Sequence, residues 1–195
     1  VPTLPAPLAF TPYGVLFSRY ELRRGYALGA AGADGEDAVR YRTRVGLRAE
    51  PVPVADNLEV SLRAAAQAAG AWSVGGDTLD HPALHLHEGV VVLGVGDTRV
   101  DVGRMELAYG EHLVLGNVEW NPVARAFDGV RTHTTLANGG YIDGFAMAVD
   151  EGWGRADGGA TVGEGDVYLL GVYSGFGPAL GQGVDLDAYL LTRAF

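Results

Sequence analysis

The residues with the most capacity for chemistry in this chain are arginines, and their spacing is regular. Residues 39–49 read VRYRTRVGLRA, which sets Arg40, Arg42, Arg44 and Arg48 against Val39, Tyr41, Thr43, Val45 and Leu47. A guanidinium is permanently charged and presents forked donors that match a carboxylate or a phosphate. Such an array holds anions; it does not break bonds. All 14 basic residues are arginine, so there is no lysine for a P-loop or a Schiff base. The absence of cysteine removes a thiol nucleophile, a disulfide framework and a Cys-ligated metal. None of Ser18, Ser61, Ser73 and Ser174 stands in a G-x-S-x-G setting. His85 and His87 flank Leu86 with His81 nearby, but no third metal ligand can be named. Asp80-His81 is a fragment of an acid–base pair without a partner nucleophile. The expectation is no catalytic residue, no metal and no cofactor.

The elements that position the arginines have a period of two. As a helix, residues 39–49 would scatter arginine all round; as a strand they separate it onto one face. The flanking segments agree. Arg19 and Arg23 alternate with Leu16, Tyr20, Leu22 and Tyr26, and Arg63 alternates with Leu58, Val60, Leu62 and Ala64. Nine strands are predicted, over about 13–26, 39–49, 58–72, 84–96, 98–110, 123–137, 141–151, 166–178 and 184–194. ADN, GDT and NGG are tight-turn sequences, whereas AAGADGEDA, SVGGDTLDHPA and DEGWGRADGGATVGEG are long, glycine-rich and acidic. Short turns at one end and long loops at the other is the layout of a transmembrane β-barrel. Tyr26, Tyr41 and Trp72 then gather near the long-loop end on the apolar face, as an interfacial girdle with Arg24 snorkelling beside it.

Composition narrows the classes further. The 195 residues are 48% hydrophobic and 19% charged, with aromatics present, which argues against disorder, and the net charge of −10 argues against nucleic acid as a partner. No stretch approaches the roughly 18 apolar residues of a transmembrane helix, and VPTLPAPLAF lacks the features of a signal peptide. Charge is sorted by position. The expected inward set on the first three strands is Arg19, Arg23, Arg40, Arg42, Arg44, Arg48 and Arg63, against Glu21 and Glu59. Acids such as Asp34, Asp37, Asp77, Asp80, Asp150 and Asp157 fall mostly in loops. A dry core does not hold unpaired charge of this density, but a hydrated lumen does. Two other readings stay open: a solvated face of a soluble sheet, and a lumen plugged by its own acids.

Residues 103–131 read GRMELAYGEHLVLGNVEWNPVARAFDGVR. This segment resembles the signature of the alginate-export porin family of bacterial outer membranes, a GR-x-x-L-x-YG strand and an aromatic-containing loop leading into R-x-FDG-x-R. The matching positions are Gly103, Arg104, Leu107, Tyr109, Gly110, Trp120, Arg125, Phe127, Asp128, Gly129 and Arg131. The chain departs from the pattern at Glu111-His112 and at Asn121-Pro122. The resemblance implies a large antiparallel barrel of about 18 strands whose arginine-lined constriction passes an anionic polyuronate. It also implies that Arg104, Arg125 and Arg131 join the pore wall and that Asp128 holds an arginine in place.

The expectation is one all-β domain over residues 1–195, an antiparallel transmembrane β-barrel or a partial barrel of about nine strands. An odd count puts the two ends on opposite sides of a membrane, and Arg193 stands where an assembly signal ending in Phe195 would be apolar. Both favour a piece of a larger barrel. The functional expectation is an outer-membrane porin conducting anionic solutes, an anionic polysaccharide such as alginate among them. Its partners would be membrane lipid and lipopolysaccharide, the solute, and envelope proteins that the sequence does not identify. The alternatives are a non-conducting barrel scaffold in an envelope complex and a barrel hydrolase using Asp80 and His81.

Overall fold

A computed structural model describes residues 9–23, 36–73, 83–112, 114–148, 168–176 and 186–194. Among them are nine strands and no helix: β1 (Phe10–Arg23), β2 (Glu36–Ala55), β3 (Leu58–Ser73), β4 (Ala83–Val95), β5 (Thr98–Met105), β6 (Phe127–Thr135), β7 (Tyr141–Ala148), β8 (Tyr168–Gly175) and β9 (Asp187–Ala194). They form one antiparallel sheet in chain order. Asp56-Asn57 and Gly96-Asp97 close two hairpins, and Gly96 takes a φ of 57° that suits its turn. Each of the nine strands overlaps one read from the alternation, but β2 is longer than 39–49, β5 stops at Met105 instead of reaching 110, and β6 starts at Phe127 instead of 123. Parts of several predicted ends lie outside the described residues, as do Arg24, Tyr26, Asp80, His81 and Phe195.

Among the described residues the sheet is not closed: β1 pairs with β2, β9 pairs with β8, and no ladder joins β1 to β9. Of the two expected forms, a closed barrel or a partial barrel of about nine strands, closure is corrected, and nine antiparallel strands stand as an open sheet. With an odd count β1 and β9 run in the same direction, so the antiparallel alternation does not continue from one edge to the other.

The register defines two faces with opposite chemistry. Phe17, Arg42 and Ala69 lie in one cross-strand row; Leu16, Thr43 and Ala68 lie in the row behind. Following these rows across the sheet gives an inner face with Arg40, Arg42, Arg44, Arg63, Asp101, Arg131 and Asp143. The outer face carries Leu16, Val45, Leu62, Val91, Val102, Val130 and Leu170. Burial is inverted relative to a soluble protein. Arg42 is 1% exposed and Asp101 1%, while Leu16 is 82%, Val45 64% and Leu190 76% exposed. Tyr41 and Trp72 stack on the outer face near the long-connection end, with ring centroids 4.5 Å apart.

The inner face is concave. Tyr13 on β1 donates to Glu88 on β4 at 2.6 Å. In a flat sheet those strands lie about 14 Å apart, beyond the reach of the two side chains. Gly46 lets the Tyr13 ring lie across β2, since a Cβ there would sit 2.5 Å from the ring.

Two glycines of the signature segment are fixed by close strand approach. Gly103 has a φ of 124°, and a Cβ on it would lie 2.1 Å from the Gly89 carbonyl oxygen. At Gly129 a Cβ would lie 2.1 Å from the Ala146 oxygen. Gly103→Ala is expected to destabilise the fold by about 1–3 kcal/mol. Gly94→Ala, whose Cβ would meet nothing nearer than 3.8 Å, is expected to stay within about 0.5 kcal/mol of the parent. Urea unfolding of detergent-refolded protein measures both. Equal midpoints for the two variants would contradict the packing.

Candidate functional site

The connection between β5 and β6, residues 106–126, does not leave the sheet. It folds back over the inner face as a strap. Its own turns are backbone-bonded: Tyr109 N–H donates to the Leu115 oxygen at 3.0 Å and Arg125 N–H to the Asn117 oxygen at 2.7 Å. Leu107, Tyr109 and Leu115 anchor it in the buried apolar cluster found among the described residues, against Met105, Phe127, Phe145, Met147 and Tyr173. The hydrophobic core therefore lies between the strap and the inner face, not between two layers of sheet.

The other half of the strap meets the arginine wall. Arg42 donates to Glu119 Oε2 at 2.5 Å and to the Asn121 oxygen at 3.3 Å, with its guanidinium 5.3 Å from the Phe17 ring centroid. Arg44 donates to Gln67 Oε1 at 2.9 Å and pairs with Glu106 at 2.8 Å and Glu119 at 3.4 Å. Gln67 is fully buried and donates to the Val123 oxygen at 2.5 Å. Arg19 reaches the Trp120 oxygen at 2.8 Å. Glu106 also meets His87 at 2.5 Å and accepts from Asn117 at 2.7 Å. Burial alone would raise the Glu106 pKa. The hydrogen bonds from His87 and Asn117 and the charge of Arg44 outweigh it and hold the carboxyl down at about 2.

The strap is strained. His112 (φ 60°), Val118 (φ 54°) and Ala124 (φ 57°) are the non-glycine residues with positive φ among those described, and all three lie in it. A β-branched valine there is a genuine outlier, and each such residue costs on the order of 1–3 kcal/mol. The ion pairs and apolar anchors offset that cost.

Towards the short-turn end the inner face opens into a cavity of about 640 Å³ lined by Arg48, Arg63, Arg99, Glu59, Asp97 and His133. At its inner end Asp101 is shared by three arginines: Arg131 at 2.5 Å, Arg99 at 3.0 Å and Arg63 at 3.7 Å. One carboxylate among three guanidiniums leaves the group cationic. Asp143 accepts from the Tyr109 hydroxyl at 2.7 Å and meets His133 at 2.5 Å. Burial and the adjacent Asp143 carboxylate push the Tyr109 phenol up.

The sequence-derived arginines thus divide. Arg19, Arg40, Arg42, Arg44, Arg48, Arg63 and Arg131 share the inner face, and Arg19 and Arg40 both bond Glu21 there. Arg23 closes β1 opposite Glu36. Two placements are corrected. Arg104, expected in the pore wall, falls by register on the outer face with Val102 and Val130, and pairs with Asp128 at 2.7 Å. The reason is alternation: Gly103 and Met105 take the inner positions. Arg125, expected on a strand, is exposed on the strap because β6 begins only at Phe127. Within the signature, Tyr109 and Phe127 are core, Gly110 takes a φ of 54° in a strap turn, and the Trp120 ring is exposed. His85 and His87 sit with ring centroids 6.1 Å apart, and no cluster of three or more metal-ligating side chains occurs among the described residues. Glu106, Glu119, Gln67, Arg99 and Asp101 were not anticipated. The acids of GRMEL and VEW inside the signature were the available signal.

Comparisons of this chain with protein-family models, with curated proteins and with solved structures find no match.

The Glu106 geometry carries a sign. A carboxyl whose pKa is depressed on docking contributes stability that is present above its ordinary value and lost as pH falls through the docked value, here from about 4.5 to about 2. The side-chain carboxyl 13C shift of Glu106, assigned by comparison with Glu106→Gln, is expected to stay that of a carboxylate from pH 7 to about 4 and to change only as pH nears 2. A transition centred near 4.5 would show that Glu106 is not held by Arg44, His87 and Asn117.

Proposed function

We propose that this sheet is a wall of an outer-membrane channel, with lipid against its outer face and an anion-conducting lumen along its inner one. The single observation that carries the reading is the inverted burial. Large aliphatic side chains are exposed on one face while arginines and their acids are enclosed on the other. An exposed apolar face of this extent marks a surface that does not meet water. Here it runs in register across all nine strands, as lipid-facing residues of a barrel do. Strand lengths agree for the first half of the sheet. β1–β4, at 13–20 residues, exceed the roughly 9–11 needed to cross a bilayer at a tilt, β6 at nine meets the lower limit, and β5, β7, β8 and β9 at eight fall one residue short of it. The stacked Tyr41–Trp72 pair lies where an interfacial girdle would.

The solute class follows from the inner face. Six arginines on β1–β3 (Arg19, Arg40, Arg42, Arg44, Arg48 and Arg63) face two carboxylates on the same strands, Glu21 and Glu59. Guanidiniums in series, with Arg48 and Arg63 beside the cavity and so open to solvent, replace part of the solvation of a carboxylate at several weak sites, which favours passage over trapping. Similarity of residues 103–131 to the alginate-export signature points the same way, towards an anionic polysaccharide.

A second reading has its own support. The strap fills part of the inner face, which suits a non-conducting barrel that scaffolds an envelope complex. Planar-bilayer recording separates the two. The channel reading expects discrete conductance with anions preferred over cations. It also expects Arg48→Ala and Arg63→Ala each to lower that preference about two- to fivefold, the effect of removing one solvated charge. No current favours the scaffold; current with equal anion and cation permeability overturns the anion assignment.

A further inference from the structure

We propose that the strap is a built-in competitor of the solute. Glu119 occupies in cis the site on Arg42 that a carboxylate of an incoming chain takes, and a linear polycarboxylate displaces it, while Glu106 stays on Arg44 with the anchored root. The inference rests on the channel reading and adds to it a specific site and the means by which it opens.

Three observations converge on it. The first is occupancy. Arg42 and Arg44 are the most enclosed arginines described, and their carboxylate partners come from the strap, not from neighbouring strands. The strand neighbour that Arg44 does bond is an amide, Gln67, which is neutral and itself bonded to the strap at Val123. With the tip lifted, Arg42 would have no carboxylate partner among the described residues, while Arg44 keeps Glu106, which stands between the buried Met105 and Leu107. A carboxylate of a linear polymer fits Arg42, because the guanidinium takes it in the same forked geometry that Glu119 now uses.

The second observation is asymmetry within the pairs. Arg42 is enclosed, yet its partner Glu119 keeps 42% of its side chain exposed to the lumen side. An exchange can begin there, with a solute carboxylate approaching Arg42 as Glu119 swings away, so that the guanidinium is never left without a partner.

The third is strain. The left-handed residues His112, Val118 and Ala124 lie on the segment that carries or flanks Glu119. Release of the acidic half lets Val118 and Ala124 leave an unfavourable backbone region, while Leu107, Tyr109 and Leu115 keep the other half anchored in the core. The strap is thus built in two parts: an apolar root and a strained, charge-held tip.

The test uses the cysteine-free chain refolded in detergent, with one added thiol at Ala69→Cys. Ala69 is buried on the inner face, in the row of Arg42 and two residues from Gln67. The probe is oligogalacturonate, with the uncharged oligogalactose as control. The proposal expects the probe, and not the control, to raise the labelling rate of the thiol by a water-soluble maleimide. It expects Glu119→Gln to label fast without probe, and to bind the probe about tenfold tighter because the strap no longer withdraws the competent state. Glu119→Ala, at the same half-exposed position, shifts both readings in the same direction and guards against an effect peculiar to the amide. Unchanged probe affinity in both variants, or labelling that ignores the probe, overturns the proposal. The channel reading is judged separately: anion-selective current in a parent whose labelling ignores the probe leaves the channel standing and removes the displacement. Probe-dependent labelling in a protein that passes no ions keeps the site and removes the channel.

Discussion

Arg42 and Arg44 are almost wholly withdrawn from solvent and cannot lose their charge. An uncompensated buried ion costs several kcal/mol, so everything around these two side chains is arranged to pair them. The sheet alone does not do it. β1 offers Phe17 and β3 offers Gln67, a ring face and a neutral amide. The carboxylates arrive from the β5–β6 connection, and this requirement draws a 21-residue segment back across the inner face. The strap's path, its strained residues and the position of the apolar core follow from it.

The same constraint explains why the molecule is built inside out. A sheet with charge on its concave side and Leu, Val, Ile and aromatic residues on its convex side has no dry layer to pack against. Its cohesion comes from the backbone ladders, the curl that brings Tyr13 to Glu88, and the small core under the strap. The convex side has no partner among the described residues. The proposed hydrocarbon surrounding would favour that arrangement, since exposed aliphatic area costs nothing there and β2–β8 are paired on both sides.

What the sequence shows and what it hides divide along one line, the range of the interaction. Alternation is local, so the strands were legible residue by residue. Val39, Tyr41, Val45 and Leu47 against Arg40, Arg42, Arg44 and Arg48 name two faces without any tertiary knowledge. The same period misplaced the boundary after Met105, because Leu107 and Tyr109 continue the alternation while packing from a strap. Register across β4 and β5 put Arg104 outside, which a motif match does not reveal. The pairing of Glu119 with Arg42 spans 77 residues and has no periodic trace. Closure, too, depends on whether the two edges meet, which no one strand's composition records.

The central claim is that the convex face meets acyl chains while the strap side does not, and two tryptophans report the two sides. Trp72 is half-exposed on the outer face and Trp120 is exposed on the strap. With Trp153 replaced by Phe, and Trp72 or Trp120 also replaced in turn, each can be read alone in vesicles whose lipids carry bromine on the acyl chains near the headgroups. The account predicts strong quenching of Trp72 and little quenching of Trp120. Equal and weak quenching of both, in protein that has folded, would place the aliphatic face in water and contradict it.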